Sequence, residues 1–249
     1  MHSFFHQDAN VLSVEPVSSQ VPALQAGELA AMYYGERKGG DFYDFLRVSP
    51  NRVVFGLLDV AGRSEENHVI VAAAKKTFRE KSLELLSSDT VNEADAMTEI
   101  CLRLNHTILE IETDGVRSCP AFVGCYNESL GILCYTNAGH TPALLRDGSG
   151  IAELPATGLP LGLFSHATCD APMAAISPGA ALLLVSRGIV EGRHRGEEFG
   201  LEGAKKTLRQ SAATAKDLCR TVIEDVRQFM RKPPTHNDVT AVALVRNTS

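Results

Sequence analysis

The sequence predicts an α+β layered sandwich of antiparallel sheets and paired helices. Three observations carry this. Short β-rich runs separated by Gly, Pro, Asn and Asp dominate the chain. Helical periods come as two adjacent pairs. The regular β-α alternation of a doubly wound parallel sheet is missing, which removes that class. With 249 residues, 44% hydrophobic, the chain can bury a full core and is not disordered. No linker or internal repeat divides it. One domain over residues 27–249 is expected, after an extension or lead-in strand at 1–26 whose Pro and Ser residues break any long period.

The elements follow in order. Residues 28–34 read as a short strand, punctuated by Gly39-Gly40. Residues 42–48 and 52–60 are β-rich and flank Ser49-Pro50-Asn51, which is a hairpin signal. A helix is expected over 66–86, with Val71, Ala74, Phe78 and Leu85 at helical spacing. A second is expected over 93–112, with Met97, Ile100, Leu104, Ile108 and Ile111 as its apolar stripe. Two such helices joined by a short turn imply a helical layer on a sheet. Strands are then expected at 121–126, 132–136, 143–146, 151–154, 168–176 and 180–186. Helices at 201–210 and 215–230 precede Pro233-Pro234, and a last strand covers 239–245.

Composition removes several function classes. Lys+Arg number 24 against 30 Asp+Glu, a net charge of -6, which argues against a nucleic-acid partner that would need a basic face. No run of about 18 apolar residues occurs, so no membrane-spanning helix is expected. The start of the chain lacks the basic and apolar regions of a secretory signal. None of the six cysteines forms a C-x-x-C pair, and they read as small buried hydrophobes of a reducing cytoplasm. No H-E-x-x-H pair exists, so a His-based metal site is not expected.

Acidic residues fall where buried strands end. Asp41 follows Gly39-Gly40, and Asp59 ends the apolar run 53–58. A carboxylate there costs desolvation energy unless it meets a cation or hydrogen-bond donors. Two of them on neighbouring hairpin strands could share a hard ion such as Mg²⁺ or Mn²⁺. Turn residues accepting backbone N–H bonds are the other account of the same pair.

The segments GGDFYDF (39–45), LDVAG (58–62), NAGHTPALL (137–145), ATGLPLGLF (156–164), LLLVSRGIVEG (182–192), GEEFG (196–200) and NDVTAVALV (237–245) occur in this order. Together they resemble the PPM-type, metal-dependent serine/threonine phosphatases, and within them the bacterial SpoIIE-like branch that acts on regulators of sigma factors. The resemblance runs from about residue 20 to the end. It implies a four-layer α-β-β-α sandwich with two mostly antiparallel sheets flanked by helix pairs. It implies hydrolysis of phosphoserine or phosphothreonine by a water held between two Mn²⁺ or Mg²⁺ ions. It implies that Asp41 helps hold the first ion, that Asp59 bridges both, and that the Val60 carbonyl completes the first site. Asp44 lies near as a lesser contributor. Asn137, Gly139 and His140 match a segment that is usually structural.

The departures from the family pattern fall on the chemistry. Where Ser/Thr-Asp-Gly is expected, the chain has Ser186-Arg187-Gly188. Where an acid is expected before the last strand, it has Asn237, followed by Asp238. Gly62-Arg63-Ser64 replaces Gly-His-Gly or Gly-Lys-Gly, and Leu58 replaces a Gly. Counting Asp41, Asp59, Asn237 and Arg187, the shell changes from about -4 to about -1. At most one ion is therefore expected, at Asp41 and Asp59, with Arg187 repelling a second and free to pair with Asp59. Asp238 is a substitute ligand, although strand alternation is expected to turn it the other way. Glu191 could enter a rearranged site, and Arg187 could bind phosphate itself. A solvated turn is the alternative for Arg187, as a solvated loop is for Arg193, His194 and Arg195.

Two functions remain. One is a phosphatase, impaired at its second metal site, acting on a phosphorylated protein of the anti-anti-sigma type. The other is a pseudophosphatase that binds a phosphoprotein or signalling partner.

Overall fold

A computed structural model describes residues 17–35, 40–60, 64–112, 118–210, 214–231 and 238–248. Gly39, Gly62, Arg63, Pro233, Pro234 and Asn237, singled out above, lie outside the described residues. The element order is β1 (Val17–Ser18), β2 (Gly27–Tyr34), β3 (Asp41–Ser49), β4 (Arg52–Asp59), α1 (Ser64–Leu86), α2 (Glu93–Leu109), β5 (Ala121–Asn127), β6 (Ile132–Ala138), β7 (Ala143–Asp147), β8 (Gly150–Leu154), β9 (Met173–Ala175), β10 (Ala181–Val185), α3 (Arg187–Val190), β11 (Arg193–His194), β12 (Glu197–Glu198), α4 (Gly200–Gln210), α5 (Ala215–Met230) and β13 (Val239–Arg246).

Apart from the β11–β12 hairpin, the strands form two antiparallel sheets. The first runs β1-β2-β13-β10-β7-β8 and the second β3-β4-β5-β6-β9. Alternation along each strand divides the core into three layers. Val53, Phe55 and Leu57 of β4 and Val242 and Leu244 of β13 meet between the sheets. Val54 and Leu58 turn outward to α1 and α2. Ala241, Ala243 and Val245 turn outward to α4 and α5. The four-layer α-β-β-α sandwich follows directly.

Local chemistry sets the joints. Asn92 caps α2, its Oδ1 accepting from the N–H groups of Ala94 and Asp95. Thr214 caps α5, and Glu28 of β2 accepts from the N–H of Ala215 at the same end. The described part of the lead-in, from Val17 on, is docked on both sheets. Val17–Ser18 pair with β2, Val21 and Leu24 pack on the inter-sheet core, and the Gln25 N–H donates to Glu128 Oε2 at 2.6 Å.

Three expectations change. The strand expected over 168–176 is only Met173–Ala175, because Pro172 has no N–H to give a ladder; its carbonyl still accepts from the Tyr135 N–H. The second helix stops at Leu109 rather than 112. A one-turn helix (α3) and a hairpin (β11–β12) occupy 187–198, where no element was expected.

A buried ion pair ties the helical layer to the second sheet. Arg52 Nε donates to Glu93 Oε1 at 2.6 Å, and Asn127 Nδ2 donates to the same oxygen at 3.0 Å. Removing one partner strands the other in the core. Glu93→Leu is expected to cost roughly 3 kcal/mol in urea unfolding, and Arg52→Met added to it should recover most of that loss. A cost below about 1 kcal/mol would mean the pair behaves as a surface bridge.

Candidate active site

The hairpin register builds the site. Asp41 of β3 stands directly opposite Asp59 of β4. Asp59 keeps the phase of Val53, Phe55 and Leu57, so both carboxylates lie on the inter-sheet face at the end of the seam. Asp44, three residues from Asp41, faces the other way. There Arg79 Nη1 of α1 donates to both its oxygens, at 2.8 and 2.6 Å. Asp44 is therefore a strut between strand and helix, outside the site.

The first sheet closes the seam from above. The Ser186 N–H donates to the Thr240 carbonyl at 2.9 Å, and the Thr240 N–H donates to Ser186 Oγ at 3.0 Å. Ser186 Oγ donates in turn to the Asp238 carbonyl at 3.1 Å. These bonds fix the mouths of β10 and β13 over Asp41. Asp238 shares the phase of Thr240, Val242 and Leu244, and so points toward the site. The expectation that alternation turns it away is overturned: even-numbered residues of β13 are the inward ones.

The electrostatics reflect this crowding. Burial first, then Asp59, push the Asp41 carboxyl up to about 8, with Asp238 adding to the effect and the Thr240 and Ser186 hydroxyls opposing it. Asp41 Oδ2 is sealed from solvent with no hydrogen-bond partner. Burial likewise raises Asp59; Arg187 opposes, and Glu191 and Asp238 raise it further. The site thus gathers four carboxylates and one guanidinium, more acid than the four positions counted in the sequence.

Arg187 opens α3 and lies across Asp59. Its Nε is 3.2 Å from Oδ2, and its Nη2 donates to Oδ1 at 3.4 Å. The Arg187 side chain is 42% exposed against 6% for Asp59, so the arginine stays partly open to solvent while the carboxylate is covered. The arginine looks into a cleft of ≈ 210 Å³ lined by Asp59, Gly139, His140, Thr141, Arg187 and Glu191. Asn137 shapes the cleft's far wall, its Oδ1 accepting from the His140 N–H at 2.8 Å. The His140 ring is neutral, because burial pushes it down to about 4. Arg193, by contrast, is spent on Glu198 within the β11–β12 hairpin.

Hard-ion chemistry fits the inner end. Asp41, Asp59 and the Val60 carbonyl are oxygen donors of the kind Mg²⁺ and Mn²⁺ take. Gly40 has φ +94, and a Cβ on it would stand 2.4 Å from the Val60 oxygen, so only glycine leaves that carbonyl open. The buried Asp41 Oδ2, which has no hydrogen-bond partner, is an oxygen donor that fits such an ion. No three His, Cys, Asp or Glu residues among those described form a metal cluster, so the donor set relies on main-chain oxygen. Sequence reasoning missed Asn67 of α1, a buried amide beside Gly40.

Comparison with known proteins gives the family and the fold. The family model for stage II sporulation protein E (SpoIIE) matches residues 49–247. Protein IcfG of Synechocystis sp. is 23% identical over 252 residues, covering 93% of this chain and 39% of that protein. Phosphoserine phosphatase RsbP of Bacillus subtilis is 26% identical over 153 residues, covering 61% of this chain and 36% of that protein. The chain thus spans under two-fifths of the curated relatives it matches. The PP2C phosphatase domain of SpoIIE from Bacillus subtilis, with a fragment of its regulatory domain, superposes with a TM-score of 0.71 at 18% identity, over 88% of this chain and 63% of that one. The RsbU and RsbW domains of Rv1364c from Mycobacterium tuberculosis give 0.72 at 22%, over 92% and 64%. The chain belongs to the SpoIIE family and has the fold of the PPM-type phosphatases.

Proposed function

We propose that residues 27–249 are a metal-assisted protein serine/threonine phosphatase with one divalent ion, Mn²⁺ or Mg²⁺, at Asp41, Asp59 and Val60. The observation that carries this is the cross-strand Asp41 and Asp59 pair, in which Asp41 Oδ2 is buried with no hydrogen-bond partner. A bound ion would neutralise phosphoryl charge and acidify a water for in-line attack. The chain's own residues do the rest. Asp59 holds the Arg187 fork in one orientation. The exposed side of that fork can take two phosphoryl oxygens in the place of a second ion. Neutral His140 adds no competing charge to the cleft wall. Asp238 is an inner-end substitute ligand, and Asn237 leaves the second position without an acid.

The substrate in this proposal is a phosphorylated bacterial signalling protein of the anti-anti-sigma type, met in the cytoplasm. Support comes from the family and from the relative named a phosphoserine phosphatase. Among the described residues no helix is long and apolar enough to cross a membrane. One observation favours the second reading, a pseudophosphatase that binds its partner without turnover. The guanidinium already lies against both oxygens of Asp59 and donates one long hydrogen bond to Oδ1, which weakens that residue as a bridging ligand.

Hydrolysis of an aryl phosphate across a Mn²⁺ titration separates the two. We expect turnover that rises with Mn²⁺ and falls by about 100-fold or more in Asp59→Asn, the scale of lost transition-state charge stabilisation. Arg187→Asp with Asn237→Asp should add a second Mn²⁺ and raise the rate. Turnover no higher than Asp59→Asn, with a phosphoprotein substrate tried as well, would leave the binding module.

A further inference from the structure

Among the described residues, the buried side-chain amides are satisfied, with one exception. Asn105 accepts from the Gly162 N–H at 2.8 Å and donates to the Phe164 carbonyl at 2.9 Å. Asn127 donates to Glu93, and its carbonyl accepts from Ser129 and Leu130. Asn137 holds the His140 turn. Asn67 is 4% exposed, yet neither its Oδ1 nor its Nδ2 has a partner. A buried amide left this way destabilises the fold, and an aliphatic side chain of similar size would not.

Its position is the second observation. Asn67 stands in the first turns of α1, which follows β4. A Cβ on Gly40 would meet Asn67 Nδ2 at 2.8 Å and the Val60 oxygen at 2.4 Å. The missing side chain of Gly40 thus opens one notch onto which both the Asn67 amide and the Val60 carbonyl converge. Asp41 follows Gly40 directly. A half-turn of χ2 exchanges the amide oxygen and nitrogen, so either atom can face the notch.

We infer that Asn67 is a further member of the cation site, giving its amide oxygen to the ion of Asp41, Asp59 and Val60 directly or through one bound water. The inference rests on the one-ion reading above. Amide oxygen is an ordinary donor to hard divalent ions. The cost of the unpaired amide in the metal-free protein is offset when the ion arrives. Asn67 therefore trades metal-free stability for ion affinity, and a residue with a merely structural role would not.

The test is calorimetric titration with Mn²⁺ plus thermal unfolding in EDTA, on the full chain and on Asn67→Leu and Asn67→Asp. Asn67→Leu should melt at or above the wild type in EDTA and bind Mn²⁺ roughly 10-fold more weakly. Asn67→Asp should bind at least as tightly as the wild type. Equal Mn²⁺ affinity in wild type and Asn67→Leu, or a lower melting temperature of Asn67→Leu in EDTA, overturns this inference alone. A wild type that binds no Mn²⁺ overturns the one-ion reading and this inference with it. Should Asn67→Leu fail to fold, weaker binding by Asn67→Asp overturns it.

Discussion

Two carboxyl groups facing each other across an antiparallel pair repel when both are ionised, and the register of β3 and β4 puts Asp41 and Asp59 in that relation. The pair sits at the end of a seam filled by Phe55, Leu57 and Val242, where water screens it weakly. The rest of the site reads as a response to this one constraint. The Ser186 and Thr240 hydroxyls soften the Asp41 charge. Arg187 answers Asp59. Gly40 keeps the Val60 carbonyl open beside them.

Arg187 divides the site in two. Its inner side lies against Asp59, and under the proposed function its partly exposed side would meet an anion in the cleft. A phosphoryl group entering there would meet a guanidinium, with Glu191 on the rim and the carboxylates behind it. The balance of charge decides whether phosphate can enter. Asp238 and Glu191 make the metal-free site more acidic than Asp41, Asp59 and Arg187 alone. In the proposed mechanism that surplus would draw a divalent ion inward and disfavour a bare phosphate, coupling ion and substrate.

Much of this was legible in the residues. Ser49-Pro50-Asn51 and the flanking alternation gave the hairpin, and the hairpin gave the acidic pair. The three-residue offset between Asp41 and Asp44 already implies opposite faces. The phase of β13 was not legible, because Asn237 and Asp238 adjoin the strand start and either could be the inward residue. Thr240, Val242 and Leu244 resolve it only once their cluster is known. The strand expected at 168–176 failed on a single missing N–H at Pro172. Asn67 left no signal at all in the sequence. An unsatisfied amide is a property of its neighbours in space, and its neighbour Gly40 is remote along the chain.

The central claim is that the Asp41 and Asp59 pair is incomplete without a cation. Its most direct test is the titration of the Asp41 carboxyl carbon by NMR, in metal-free protein and in Mg²⁺. The account predicts a midpoint near 8 without metal, set by burial and by Asp59, and a marked fall when Mg²⁺ is added. An Asp41 that titrates in the ordinary carboxylate range without metal, or whose midpoint ignores Mg²⁺, would contradict it.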